Sequence, residues 1–72
     1  MDYNIFLNKD ILINTFNRNY FGRFDGNCFG RCIEIVKNNN GDTYLKIKIP
    51  NSQIIVKIDV KKIEAIREIT KK

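Results

Sequence analysis

Histidine and tryptophan are absent from the 72 residues, and proline occurs once, at Pro50; the only cysteines are Cys28 and Cys32. Each scarcity removes a class of chemistry. Without histidine there is no general base that titrates near neutral pH, neither cysteine has an imidazole to activate it, and the carboxylates are scattered along the chain. The chain is therefore expected not to be an enzyme. Two cysteines without histidine fall short of the four-ligand zinc templates, so neither a metal nor another cofactor is expected. If Cys28 and Cys32 share a strand, four residues at ~3.3 Å each set them about 13 Å apart, beyond the reach of a disulfide. Long apolar runs are missing as well. Nothing approaches the roughly 18 residues of a membrane span, and residues 1–12 hold no basic stretch leading into an apolar one. A cytoplasmic protein with no membrane association is expected. Gly22, Gly26 and Gly30 recur every four residues, which matches neither a P-loop nor a dinucleotide fingerprint.

What is present is basic charge and β-rich patterning. Thirteen Lys and Arg against eight Asp and Glu give a net charge of +5, a balance suited to a phosphate-rich partner but equally to a solvated surface. An apolar content of 43% with 29% charged residues is that of a globular chain rather than a disordered one. A single domain is expected, with a small core, since chains this short bury only about 60% of their unfolded surface.

Tyr3, Phe6, Leu7 and Ile11 stand at helical spacing behind Asp2 as a cap, and predict a short helix within residues 1–9. From Asp10 onward, short β-rich runs alternate with turn residues at 17–19, 25–27, 38–42 and 50–52. Strands are expected at 10–16, 20–24, 43–49 and 53–60, with another through Ile33 and Ile35. The segment 63–67 closes the set as a strand or, through Ile63, Ile66 and Ile69, as a helix face.

Side-chain parity fixes two registers. A two-residue turn at Asn51 and Ser52 sets Ile49, Ile47 and Leu45 opposite Ile54, Val56 and Ile58, whereas a slip of one residue opposes them to Gln53, Ile55, Lys57 and Asp59. A three-residue loop at 39–41, with Gly41 left-handed, sets Ile35 opposite Leu45 and Ile33 opposite Ile47. Gly22, Gly26 and Gly30 supply the bends that a small curved sheet requires.

The stretch Leu7-Asn8-Lys9, followed by Ile11-Leu12-Ile13 and Phe21-Gly22-Arg23, resembles the first signature of the Sm-like family, in which an apolar strand leads through a turn to a Gly-Arg or Gly-Lys step. Residues 54–58 and 63–66 are similar to that family's closing strands, although Lys57-Ile58-Asp59 stands where the family carries an Arg-Gly or Lys-His pair. With Gly30-Arg31 opening a motif strand, an SH3-like barrel of the KOW kind is a related match. The resemblance implies a mainly β, five-stranded meander closing into a small barrel over residues 10–69. It also implies binding of single-stranded RNA and assembly into a homo-oligomer.

Two segments carry candidate binding residues. In 18–31, Arg18, Arg23 and Arg31 interleave with aromatics, an arrangement in which bases stack on rings while phosphates pair with arginine. Phe21 and Phe29 are expected to point into the core, leaving Tyr20 and Phe24 at the surface. On the central hairpin Tyr44, Lys46 and Lys48 share a face with Lys57; Lys46 then opposes Lys57, a like-charge contact that favours an anion nearby, while Glu34 on its other side offers an ion pair instead. The expected function is a single-stranded nucleic-acid, and in particular RNA, binding barrel. The rival is a protein-interaction module, with an acidic protein partner or a host protein inhibited by a phage or mobile element.

Overall fold

The computed structural model describes residues 2–16 and 27–69. Alternating apolar residues form five antiparallel strands: β1 (Asp10–Thr15), β2 (Asn27–Lys37), β3 (Thr43–Lys48), β4 (Ile55–Asp59) and β5 (Ile63–Glu68). They lie in one sheet in the order β4-β3-β2-β1-β5. The expected strand at 20–24, with Gly22 and Gly26, lies outside the described residues.

The expected N-terminal helix is a single 3-10 turn, Tyr3–Phe6, in which Asp2 accepts from the Asn4 N–H at 2.9 Å. Tertiary hydrogen bonds stop it. Asn8 adopts a left-handed φ of 65° and its N–H donates to the Cys32 carbonyl at 2.7 Å, while the Cys32 N–H donates to the Lys9 carbonyl at 3.0 Å. The chain is thus drawn into an extended path beside β2, and of the apolar residues in that turn only Phe6 is buried.

The two expected hairpins are present. Gly41 has a φ of 93° and its N–H donates to the Asn38 carbonyl at 3.1 Å, which closes the loop at 39–41 and pairs Ile35 with Leu45. Leu45 opposes Ile58 and Ile47 opposes Val56. The second turn is longer than expected. Its closing bond runs from the Ile49 N–H to the Ile54 carbonyl at 3.0 Å, which sets Ile49 opposite Ile54 as expected and leaves residues 50–53 as the loop.

β2 is the organising strand. Its first part, Asn27 to Arg31, pairs with β1, and its second part, Arg31 to Lys37, pairs with β3, so the two ladders meet at Arg31. A register shift lies between Cys32 and Glu34, and it brings Cys32 opposite Ile47, correcting the expected partner Ile33. An inserted residue of this kind bends a strand and increases its twist. The bend is tight enough that a Cβ on Gly30 would lie 2.5 Å from the Lys48 carbonyl oxygen. Both halves of the folded sheet cover one core of Phe6, Ile11, Ile13, Cys28, Cys32, Leu45, Ile47 and Ile58.

The outer strands β4 and β5 are joined by one 3-10 turn, Val60–Lys62, in which Asp59 accepts from the Lys61 N–H at 2.9 Å. Strands on opposite edges of a sheet can be joined by three residues only if the sheet curls until the edges meet at that corner. Among the described residues no ladder joins β4 to β5, so the sheet is open and the expected closed barrel is not formed by pairing.

Candidate functional site

Parity along the bent strand decides which side chains face outward. Cys28, Gly30 and Cys32 point into the core, so Phe29 and Arg31 point out. The expectation that Phe29 is core is therefore corrected: it is 36% exposed. Its even-numbered neighbours take the core because the inserted residue near Ile33 shifts the alternation along β2.

The outward face forms rows across the strands. Arg31 lies between Asp10 on β1 and Lys48 on β3, and Lys48 lies opposite Ile55 on β4. In the next row Phe29 opposes Leu12, which opposes Arg67 on β5. The β2–β3 ladder ends at the Arg31–Lys48 pair, with Phe29 on β2 and Pro50 in the following turn beyond it. A groove of about 350 Å³ runs here, lined by Phe29, Arg31, Lys48, Pro50 and Asn51, with Asp10 at one side.

Arg31 and Lys48 are opposed like charges, and such pairs destabilise a sheet unless something compensates them. Arg31 is compensated by Asp10, whose Oδ1 accepts from Nε at 3.0 Å. Lys48 is not. Its strand neighbours are Ile55 and Arg31, and among the described residues no carboxylate pairs with it. The second opposed pair, Lys46 with Lys57, is compensated twice over. Glu34 meets Lys46 at 3.3 Å, as the sequence predicts, and Lys57 Nζ stands 4.5 Å from the centre of the Tyr44 ring.

At the far end of β3, Lys61 Nζ donates to Asp42 Oδ1 at 2.5 Å. That bond holds the Asp42 carboxyl below its usual range and pushes the Lys61 ammonium above its own. A smaller cavity of about 290 Å³ lies beside the first 3-10 turn, between Tyr3, Asn4, Ile35, Lys37 and Val60. It is lined by mixed side chains with a single cation.

Of the residues singled out from the sequence, Arg31 and Lys48 meet in the groove, while Tyr44, Lys46 and Lys57 form the adjoining compensated patch. Arg18, Tyr20, Arg23 and Phe24 lie outside the described residues. Phe29, Asn51 and Arg67 were not singled out as surface sites. The signal for Phe29 was present in Cys28 and Cys32, because cysteine is among the most frequently buried residue types and the two share a parity that excludes Phe29. Among the described residues no helix is long and apolar enough to cross a membrane. Comparison with protein-family models, curated proteins and solved structures finds no match to this chain.

Proposed function

We propose that this chain is a small barrel of the Sm-like or SH3-like kind that binds single-stranded nucleic acid, RNA in particular, on the outward face of β1, β2 and β3. The edges β4 and β5 already meet at the Val60–Lys62 turn, and the barrel is the completion of that curl. The observation that carries the binding role is the opposition of Arg31 to Lys48, with no carboxylate among the described residues paired to Lys48, beside the exposed ring of Phe29. An anion there removes an internal repulsion, and an aromatic next to that anion suits a ligand that is charged and planar in alternation. A nucleic-acid strand has that chemistry. Cys28 and Cys32, which are not joined in a disulfide, fit a cytoplasmic setting.

The test is fluorescence anisotropy with labelled homopolymer and mixed-sequence RNA and DNA oligonucleotides over a salt series. Affinity should fall with salt at a slope near −0.7 per phosphate contact for single strands. No binding at low salt overturns the proposal.

A second function has an observation of its own. The edge strand β4 is open among the described residues, and beside its hairpin turn Ile54 is 61% and Ile55 52% exposed. Open edges with apolar side chains accept another strand, from a second copy of this chain or from an acidic protein partner. Light scattering separates a homo-oligomer from a monomer.

A further inference from the structure

We infer that the groove beside Pro50 is a subsite for one unstacked nucleotide, with its base on Phe29 and its phosphate between Arg31 and Lys48. The inference rests on the nucleic-acid role and specifies its central contact. At about 350 Å³ the groove is at the lower end of small-ligand sites, which run from roughly 300 to 1,000 Å³, so it holds one base with its sugar and not a run of them.

The two cations are register partners on neighbouring antiparallel strands. Side chains so placed start from Cβ atoms about 4.5–5.5 Å apart and can converge on a single anion. Asp10 engages the guanidinium through Nε. Among the described residues nothing engages the two terminal nitrogens of Arg31, which can meet a second oxyanion, and the ion pair restricts the fork before any ligand arrives. The phosphate supplies the counter-charge that no carboxylate among the described residues gives Lys48.

Two residues along β2 from Arg31, Phe29 lines the groove together with Pro50 of the turn that follows β3, so a base entering it meets an aromatic ring and a proline. Asn51, held at a φ of 58°, brings an amide with both donor and acceptor to the rim, where base edges need both. The neighbouring patch does not offer an equivalent platform. Tyr44 already has a cation over its ring, and Lys46 already has Glu34.

The test uses the whole chain and adenosine 5′-monophosphate as the probe, in a ¹H–¹⁵N NMR titration beside adenosine and inorganic phosphate, with oligonucleotide anisotropy in parallel. The nucleotide should shift the amides of Phe29, Arg31, Lys48 and Asn51 and bind at least tenfold more tightly than adenosine or phosphate alone. Loss of one stacked base is worth ~1–3 kcal/mol, so Phe29→Leu should weaken oligonucleotide binding about 5- to 150-fold with an unchanged salt slope. Lys48→Gln, an exposed change that leaves the fold intact, should reduce the slope by about 0.7. If oligonucleotides bind but Phe29→Leu changes nothing, or phosphate shifts these amides as strongly as the nucleotide, the subsite is overturned while the nucleic-acid role stands. If no oligonucleotide binds at low salt, both fall.

Discussion

Replacing Gly30 with alanine would test the bend on which the outward face depends. The added Cβ would lie 2.5 Å from the Lys48 carbonyl oxygen and 2.7 Å from Ile47 Cγ2. Favourable carbon contacts are made at roughly 3.5–4.0 Å, so each overlap is about 1 Å. The carbonyl cannot swing aside, because Lys48 is laddered to Arg31 on one side and Ile55 on the other. β2 and β3 must instead separate at the bend, and we expect a cost of about 3 kcal/mol, at the upper end of overpacking effects. At roughly 4–8 °C per kcal/mol for a domain of this size, Tm falls by roughly 12–24 °C. Gly41→Ala is the control, since Gly41 has a φ of 93° and nothing within 4 Å of an added Cβ. Its cost is conformational, ~1–2 kcal/mol. Asparagine, which tolerates positive φ, should recover part of that loss at position 41 and none at position 30. Thermal unfolding followed by circular dichroism reads all four variants. A Gly30→Ala protein within about 0.5 kcal/mol of the parent, a difference usual for inconsequential surface changes, would refute the close approach.

Ile47→Ala should cost about 2–5 kcal/mol in urea denaturation, while Val56→Ala, directly opposite but only half-buried, should cost about 1 kcal/mol; equal losses at the two positions would contradict their unequal burial. Asp42→Asn should lower Tm at neutral pH and not in strong acid. Because the Asp42 pKa is lowered in the fold, the pair's contribution is full above the ordinary carboxylate pKa, shrinks below it, and is gone once pH falls through the lowered native value; because the Lys61 pKa is raised, it is also lost as pH rises through that raised value. A Tm difference that persists unchanged at pH 2 would refute the pairing. Burial pushes the Cys32 thiol up, so thiol reagents should label it only on unfolding, and reductant should leave Tm unchanged; native-state labelling at the rate of a free thiol would place it at the surface.

The central hairpins were legible in the sequence because two independent constraints agreed there. Alternation demanded that Leu45 and Ile47 face Ile58 and Val56, and the turn residues lay at the matching midpoint. The register around that turn is as expected, with Ile49 bonded to Ile54, while the loop takes in residues 50–53 rather than Asn51 and Ser52 alone. The N-terminal segment was legible in what it buries, Phe6, and not in its shape. Helical spacing over so few residues is a weak preference, and the hydrogen bonds between the Asn8–Lys9 segment and Cys32 override it.

The groove was illegible for a different reason. Apolar residues stand at both parities before the loop at 39–41, at Cys28 and Cys32 as well as at Phe29, Ile33 and Ile35, so alternation alone permits an unbroken β2 with the odd positions inward throughout. In that unbroken ladder, extended from Ile35 opposite Leu45, Arg31 would oppose Ile49 and Lys48 would oppose Cys32. The one-residue shift between Cys32 and Glu34 changes both partners at once. It turns Cys32 inward to Ile47, turns Phe29 out, and brings Arg31 level with Lys48. The same irregularity that lets a short chain fold one sheet around its core therefore creates the opposed cations and the exposed ring. Gly30 belongs to both, because a Cβ there would lie 2.5 Å from the Lys48 carbonyl oxygen, and its absence lets β3 close on β2 where Arg31 faces Lys48.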